Sequence, residues 1–260
     1  MDKSIYEVIR NAFNELPDSV HKHYLPYPPE KLIDRFRWLL ACGRIFCPDY
    51  NFKWPQLDWW QDNSFRQYLE IFNEDQGMNS DRRWNLYQFL KQTRDVQGDT
   101  VECGAYIGMS SYLICQENVE AKSGRMHHIF DSFEGLSEPG ELDGTHWKKH
   151  ALKATEDELN DNLTPFAGNY KTYKGWIPER FSEVKDKTFS FVHIDVDLHD
   201  PTLESYNFFY PRMETGAIII CDDYGFGTCP GCTEAVNKFM QDKPERLIYP
   251  ASGGCILIKK

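Results

Sequence analysis

Val101-Glu102-Cys103-Gly104-Ala105-Tyr106-Ile107-Gly108-Met109-Ser110-Ser111 reads as an apolar strand that ends near an acidic residue and runs through two glycines into a helix. In an open parallel sheet the ligand crevice lies beyond the carboxyl ends of the strands, where glycines let the backbone approach a ligand closely. Taken alone, the Gly-x-x-x-Gly spacing fits an ordinary tight turn equally well. The surrounding pattern decides between them. From Thr100 onward short apolar runs alternate with helical patterns, as a parallel sheet covered by helices requires.

The runs are Thr100 to Cys103, Met126 to Phe130, Tyr170 to Tyr173, Phe189 to Ile194, Ala217 to Cys221, Arg246 to Tyr249 and Cys255 to Ile258, giving seven expected strands. Thr155 with Glu158 forms a capping-box pattern, and Asp200 before Pro201 reads as an N-cap with proline at the first helical position. Only Pro250 to Gly254 separates the last two runs, too few residues for a crossover helix, so these are expected to pair as an antiparallel hairpin. The expected fold is therefore α/β: a Rossmann-like, seven-stranded, mostly parallel sheet ending in that hairpin.

Before the sheet, apolar residues recur at helical spacing, as in Ile5, Val8, Ile9, Ala12 and Phe13 or Leu32, Phe36, Leu39 and Leu40. Residues 1–90 are expected to form a helical N-terminal extension or lid, and residues 91–260 the main domain. An aromatic-rich loop from Phe46 to Trp60 is expected to pack as a lid on the core rather than to face a substrate ring.

A chain of 260 residues, 41% hydrophobic, can bury one sizeable core plus a modest extra segment. Its formal charge of -11 argues against broad binding to nucleic acid or to anionic membranes. The basic pairs Arg82-Arg83 and Lys148-Lys149 lie among acidic residues and read as solvated faces. The first sixteen residues hold no uninterrupted apolar run for a secretion signal, and no stretch is long enough to span a bilayer. The 8 cysteines form no disulfide framework, so a reducing cytosol is expected, and Cys229-Pro230-Gly231-Cys232 reads as a structural turn.

Two further signals point to chemistry. Asp131 ends the second expected strand, beside the glycine loop, where a carboxylate would accept hydrogen bonds from both hydroxyls of a nucleoside ribose. More specific is the pairing of His193-Ile194-Asp195-Val196-Asp197 at one strand end with Ile220-Cys221-Asp222-Asp223-Tyr224 at the next. Neighbouring strands would bring Asp195, Asp222 and Asp223 to one rim, where like charges repel unless a divalent cation intervenes. An all-oxygen site suits magnesium, with manganese or calcium as substitutes.

These motifs, followed by Pro230-Gly231-Cys232-x-x-Ala235-Val236, together resemble the macrocin O-methyltransferase family over roughly Ser80 to Lys260. The resemblance implies a class I methyltransferase sheet, S-adenosylmethionine as cofactor and methylation of a sugar-like small molecule. It implies Glu102, Gly104, Ala105, Tyr106, Ser110, Asp131, Ser132 and Trp176 around the cofactor, and Asp195, Asp222 and Asp223 as magnesium ligands. Asp197 is implied as general base, with His199 in reserve because its ordinary pKa lies nearer neutrality. The resemblance also points to a homo-oligomer in contact through the N-terminal helices. Two alternatives stand beside this one. Asp195-Val196-Asp197 also fits the Asp-x-Asp signature of nucleotide-sugar glycosyltransferases, and a cofactor-binding protein without catalytic activity would share the glycine loop.

Overall fold

The computed structural model describes Trp59, residues 62–72 and residues 79–260. The helices expected before Leu40 lie outside the described residues, as does the aromatic loop except for Trp59. Backbone contacts group the chain into Met1–Gln67 and Tyr68–Lys260. The sheet and the cavity above it belong to the second unit.

The sheet comprises β1 (Asp99–Cys103), β2 (His127–Asp131), β3 (Tyr170–Lys174), β4 (Phe189–Ile194), β5 (Met213–Cys221) and β6 (Cys255–Ile258), in the order β3-β2-β1-β4-β5-β6. All neighbours are parallel except β5 and β6. The helices are α1 (Asn63–Ile71), α2 (Ser80–Gln92), α3 (Met109–Glu120), α4 (Glu156–Asn162), α5 (His199–Phe209) and α6 (Pro230–Met240). Every residue of β4 is buried, as befits a central strand covered on both faces.

Among the described residues the sheet has six strands rather than seven. The expected Arg246 to Tyr249 strand contributes only a bridge between Ile248 and Ile256. Pro244 and Pro250 flank it and have no N–H to donate, so a longer ladder does not form. The antiparallel end pair is instead β5 with β6, joined through α6. Thr155 and Glu158 make the expected capping box of α4. Helix α5 starts at His199, slightly earlier than Asp200-Pro201 suggested, because the carboxylate of Asp143 accepts from the His199 N–H at 2.7 Å and satisfies that end.

Strand order reverses at β1, since the chain adds β2 and β3 on one side and β4 and β5 on the other. The crevice for ligands in this architecture opens above that reversal, at the strand carboxyl ends. Register sharpens it. Cys103 pairs with Ile194 and Ile194 with Cys221, so the next residues, Gly104, Asp195 and Asp222, emerge side by side.

Between β2 and α4 the chain makes a compact excursion closed by its own backbone. Leu136 N–H donates to Ala151 at 2.9 Å, and His150 N–H donates to Leu136 at 2.9 Å. Gly135 turns there at φ +85, and a Cβ would sit 2.5 Å from the Ala151 carbonyl oxygen. At the far end Asp143, buried, also accepts from Gly140 N–H at 2.7 Å and lies against Gly231 of α6, where a Cβ would sit 1.9 Å from its oxygen.

Candidate active site

Every residue expected to hold the cofactor or the cation, Glu102 excepted, lines a single cavity of about 580 Å³ above the strand ends, together with the expected base Asp197. One end of the cavity is built by backbone. Gly104 has φ +79, and a Cβ there would lie 1.9 Å from the Asp195 carbonyl oxygen, so only glycine lets β1 pass so close to β4. Asp131 holds the loop that follows. Its Oδ2 accepts from Ala105 N–H at 2.8 Å and Tyr106 N–H at 3.1 Å, and its Oδ1 accepts from Phe133 N–H at 2.7 Å. Ser132 Oγ donates to the Gly135 carbonyl at 2.7 Å, and Trp176 Nε1–H donates to the same oxygen at 3.1 Å.

The other end is built by carboxylates. One oxygen from each of Asp195, Asp222 and Asp223 lies within 4.8 Å of the others. Asp222 and Asp223 are buried and Asp195 is half-buried. Asp197 lies beside them because the chain turns left-handed there, at φ 60, an uncommon state for a residue other than glycine. That turn lets the Asp197 N–H donate to Asp223 Oδ2 at 2.8 Å, and it resolves how two residues so close in sequence both reach the cavity. His199, the reserve base, does not line the cavity, and its Nδ1 faces Asp200 Oδ1 at 2.7 Å.

Charge at this end is poorly balanced. Burial, then the neighbouring Asp222, pushes Asp195 up to about 6. Burial, then Asp195, pushes Asp197 up to about 7, and burial with Asp197 drives Asp223 well above the usual carboxylate range. Burial acts against Asp222 too, but His193 and the Arg82 guanidinium outweigh it and hold Asp222 well below that range. Three oxygen donors converging with too little positive charge around them fit a hard divalent cation. Asp197, Asp223 and Cys229 make a second close group, yet burial and Asp223 push the Cys229 thiol up to about 12, so it remains a protonated donor. The all-oxygen set is the better cation site.

The expected solvated face at Arg82-Arg83 is corrected here. Arg82 pairs with Asp222 Oδ2 and lies 4.9 Å from the Phe226 ring centre, while Arg83, buried, donates to Ser110 Oγ at 2.6 Å and stands 3.8 Å from Asp195 Oδ2. The Cys229 to Cys232 segment, expected as a turn, is instead the start of a helix: Cys229 is the N-cap of α6 and Pro230 its first residue. It carries a contact that local sequence did not signal: Cys229 Sγ accepts from Trp147 Nε1–H at 3.3 Å and donates to Asp197 Oδ1 at 3.5 Å. Glu102 is the exception among expected site residues. Its carboxylate turns into the sheet, fully buried, against Ser111 and His193.

Residues 77–246 match the Macrocin-O-methyltransferase (TylF) family. The chain belongs to that family. Macrocin-O-methyltransferase family membership makes it an O-methyltransferase with S-adenosylmethionine as donor, and sets aside the glycosyltransferase alternative. It is 26% identical over 200 residues to demethyldecarbamoylnovobiocin O-methyltransferase of Streptomyces niveus, covering 69% of this chain and 75% of that protein. It is 25% identical over 145 residues to 8-demethyl-8-(2,3-dimethoxy-alpha-L-rhamnosyl)-tetracenomycin-C 4'-O-methyltransferase of Streptomyces olivaceus, covering 52% of this chain and 56% of that one. The solved structure of the O-methyltransferase NovP superposes with TM-score 0.61 at 25% identity, covering 69% of this chain and 79% of that one. CalS11, a calicheamicin methyltransferase, shares the fold at TM-score 0.61 and 16% identity, covering 91% of this chain and 95% of its own. Among the described residues no helix is long and apolar enough to cross a membrane.

Proposed function

We propose that this chain transfers the methyl group of S-adenosylmethionine to a hydroxyl of a sugar or sugar-containing small molecule, with magnesium held by Asp195, Asp222 and Asp223 and with Asp197 as general base. The observation that carries this reading is that the glycine-loop end and the aspartate end line one cavity. A donor seated at the first end would thereby present its methyl group to an acceptor at the second. The family relative whose name specifies a rhamnosyl group supports a sugar-bearing acceptor. The net charge of -11 supports a small molecule over nucleic acid.

Each residue then has a task. Gly104 allows close approach of the donor, Asp131 faces the ribose, and Trp176 with Ser132 closes that wall. When bound, magnesium supplies Lewis acidity that favours negative charge on a hydroxyl oxygen of a vicinal diol. Asp197, fixed by its own N–H on Asp223 and by the Cys229 thiol, receives the hydroxyl proton. Arg82 and Arg83 keep the acids apart and oriented. In this reading residues 1–90 are a helical extension, residues 91–260 the catalytic domain of a homo-oligomer, and the cysteines free among the described residues fit a reducing cytosol.

The test is transfer of labelled methyl from the cofactor to a panel of diol-containing sugars, with magnesium and with EDTA. Product that needs both a vicinal diol and magnesium supports the proposal. Undiminished turnover in EDTA removes the cation, and failure of every diol removes the sugar acceptor.

A further inference from the structure

The proposed function leaves Glu102 without work. A carboxylate buried in mid-sheet is costly unless its partners compensate it, and an apolar residue would pack that position more cheaply. The partners here form a continuous line. Glu102 Oε2 accepts from Ser111 Oγ, whose oxygen is 3.2 Å from His127 Nε2, and Glu102 Oε1 is 2.7 Å from His193 Nδ1. His193 is itself fully buried, and its other nitrogen, Nε2, has no hydrogen-bond partner among the described residues and stands 3.9 Å from Asp222 Oδ1.

Backbone register produces this line. Glu102 pairs with His193 across β1 and β4, so both side chains leave the same face of the sheet. His193 pairs in turn with Ile220 of β5, two residues before Asp222, which places the imidazole directly below the turn that presents Asp222. An imidazole held at one nitrogen keeps its ring orientation and aims the other nitrogen in one direction. Here that direction is the Asp222 carboxylate.

We propose that Glu102 and His193 form a positioning pair that holds Asp222 in register for the cation. The inference rests on the reading that Asp195, Asp222 and Asp223 bind a divalent ion. Glu102 fixes the ring, and the ring limits how far Asp222 can swing toward Arg82, which takes its other oxygen. Glu102 is therefore a support for the metal end of the site rather than a contact to the cofactor.

The experiment uses the full-length protein with Mn²⁺ alone as probe, titrated by electron paramagnetic resonance, alongside calorimetry with S-adenosylmethionine and thermal melting. Glu102→Gln and His193→Asn are each expected to weaken Mn²⁺ binding by roughly 10-fold or more while cofactor affinity stays within about twofold. His193→Gln, whose amide reaches the Nε2 position, should recover part of that loss and serves if the asparagine variant does not fold. The double variant should be no worse than His193→Asn alone, because one residue acts through the other. Unchanged Mn²⁺ affinity in the single variants overturns the pair, as does a fall in cofactor affinity as large as the fall in Mn²⁺ affinity. Absence of Mn²⁺ binding by the unmodified protein overturns the cation site itself, and the pair with it.

Discussion

The two ends of the cavity solve the problem of buried negative charge in opposite ways. At the glycine loop a single carboxylate, Asp131, is satisfied by three backbone N–H groups supplied by its own loop and the next. At the other end four carboxylates face one another, and the compensating groups are the side chains of Arg82 and Arg83 from α2, with His193 below. Backbone donors are set once the chain has folded, whereas long side chains keep rotamer freedom that must be lost each time they engage. The first end is therefore preorganised, and the second keeps more freedom to adjust.

That contrast can be broken most decisively by removing divalent ions. EDTA is expected to abolish methyl transfer and magnesium to restore it, while calorimetry shows cofactor affinity unaltered; a parallel loss of cofactor binding would mean the two ends are not independent. Next in size is Asp197→Asn, for which kcat should fall by roughly 10² to 10⁴, the usual contribution of a positioned base. Cofactor affinity should hold, and retained turnover would move the base elsewhere. Asp131→Ala should act the other way round. It strands the N–H groups of Ala105 and Phe133, each worth about 1–3 kcal/mol when buried and unpaired, and releases the exposed Tyr106 N–H, so the loop loosens and cofactor affinity should drop by roughly 10- to 100-fold. Mn²⁺ affinity should not follow it.

The smallest effect concerns the opposite end of the strands, at the start of β1. Burial raises Asp99, but His128, the Met126 N–H and Lys187 outweigh it and hold the group at about 2, against an ordinary 3.8. A depressed carboxylate stabilises the fold above its unfolded value, and that contribution disappears as pH falls through the folded one. Asp99→Asn should therefore cost about 1 kcal/mol at neutral pH and narrow its gap from the unmodified protein as pH falls from about 4 to about 2, with kcat unchanged. A shift in kcat would show that the scaffold and the site are more tightly joined than the two-ended picture holds.

The part of this arrangement that was legible in sequence is the part written locally. Acids at strand ends and glycines at a strand-to-helix turn announce themselves within a few residues, so Asp131, Asp195, Asp197, Asp222, Asp223 and Gly104 could be named together. What was not legible depends on partners far apart in the chain. Arg82 meets Asp222 across 140 positions, and nothing near Arg82 distinguishes it from a surface cation. Trp147 and Cys229, 82 positions apart, are hidden for the same reason. Glu102 depends on a distant partner too: it lies in the glycine motif, and cross-strand register sets its side chain against His193, 91 positions away. The run Arg246 to Tyr249 has the composition of a strand and makes a single bridge, because flanking prolines count for more than apolar residues when a ladder must be extended.

The excursion between β2 and α4 is knotted at its base by Leu136 and Ala151 and anchored at its far end by Asp143. Between those fixed points Trp147 donates to Cys229, the same thiol that donates to Asp197. The segment thereby reaches the carboxylate end from outside the sheet, so an exchange of residues 144–149 must keep Trp147 as well as both anchors if Asp197 is to hold its place.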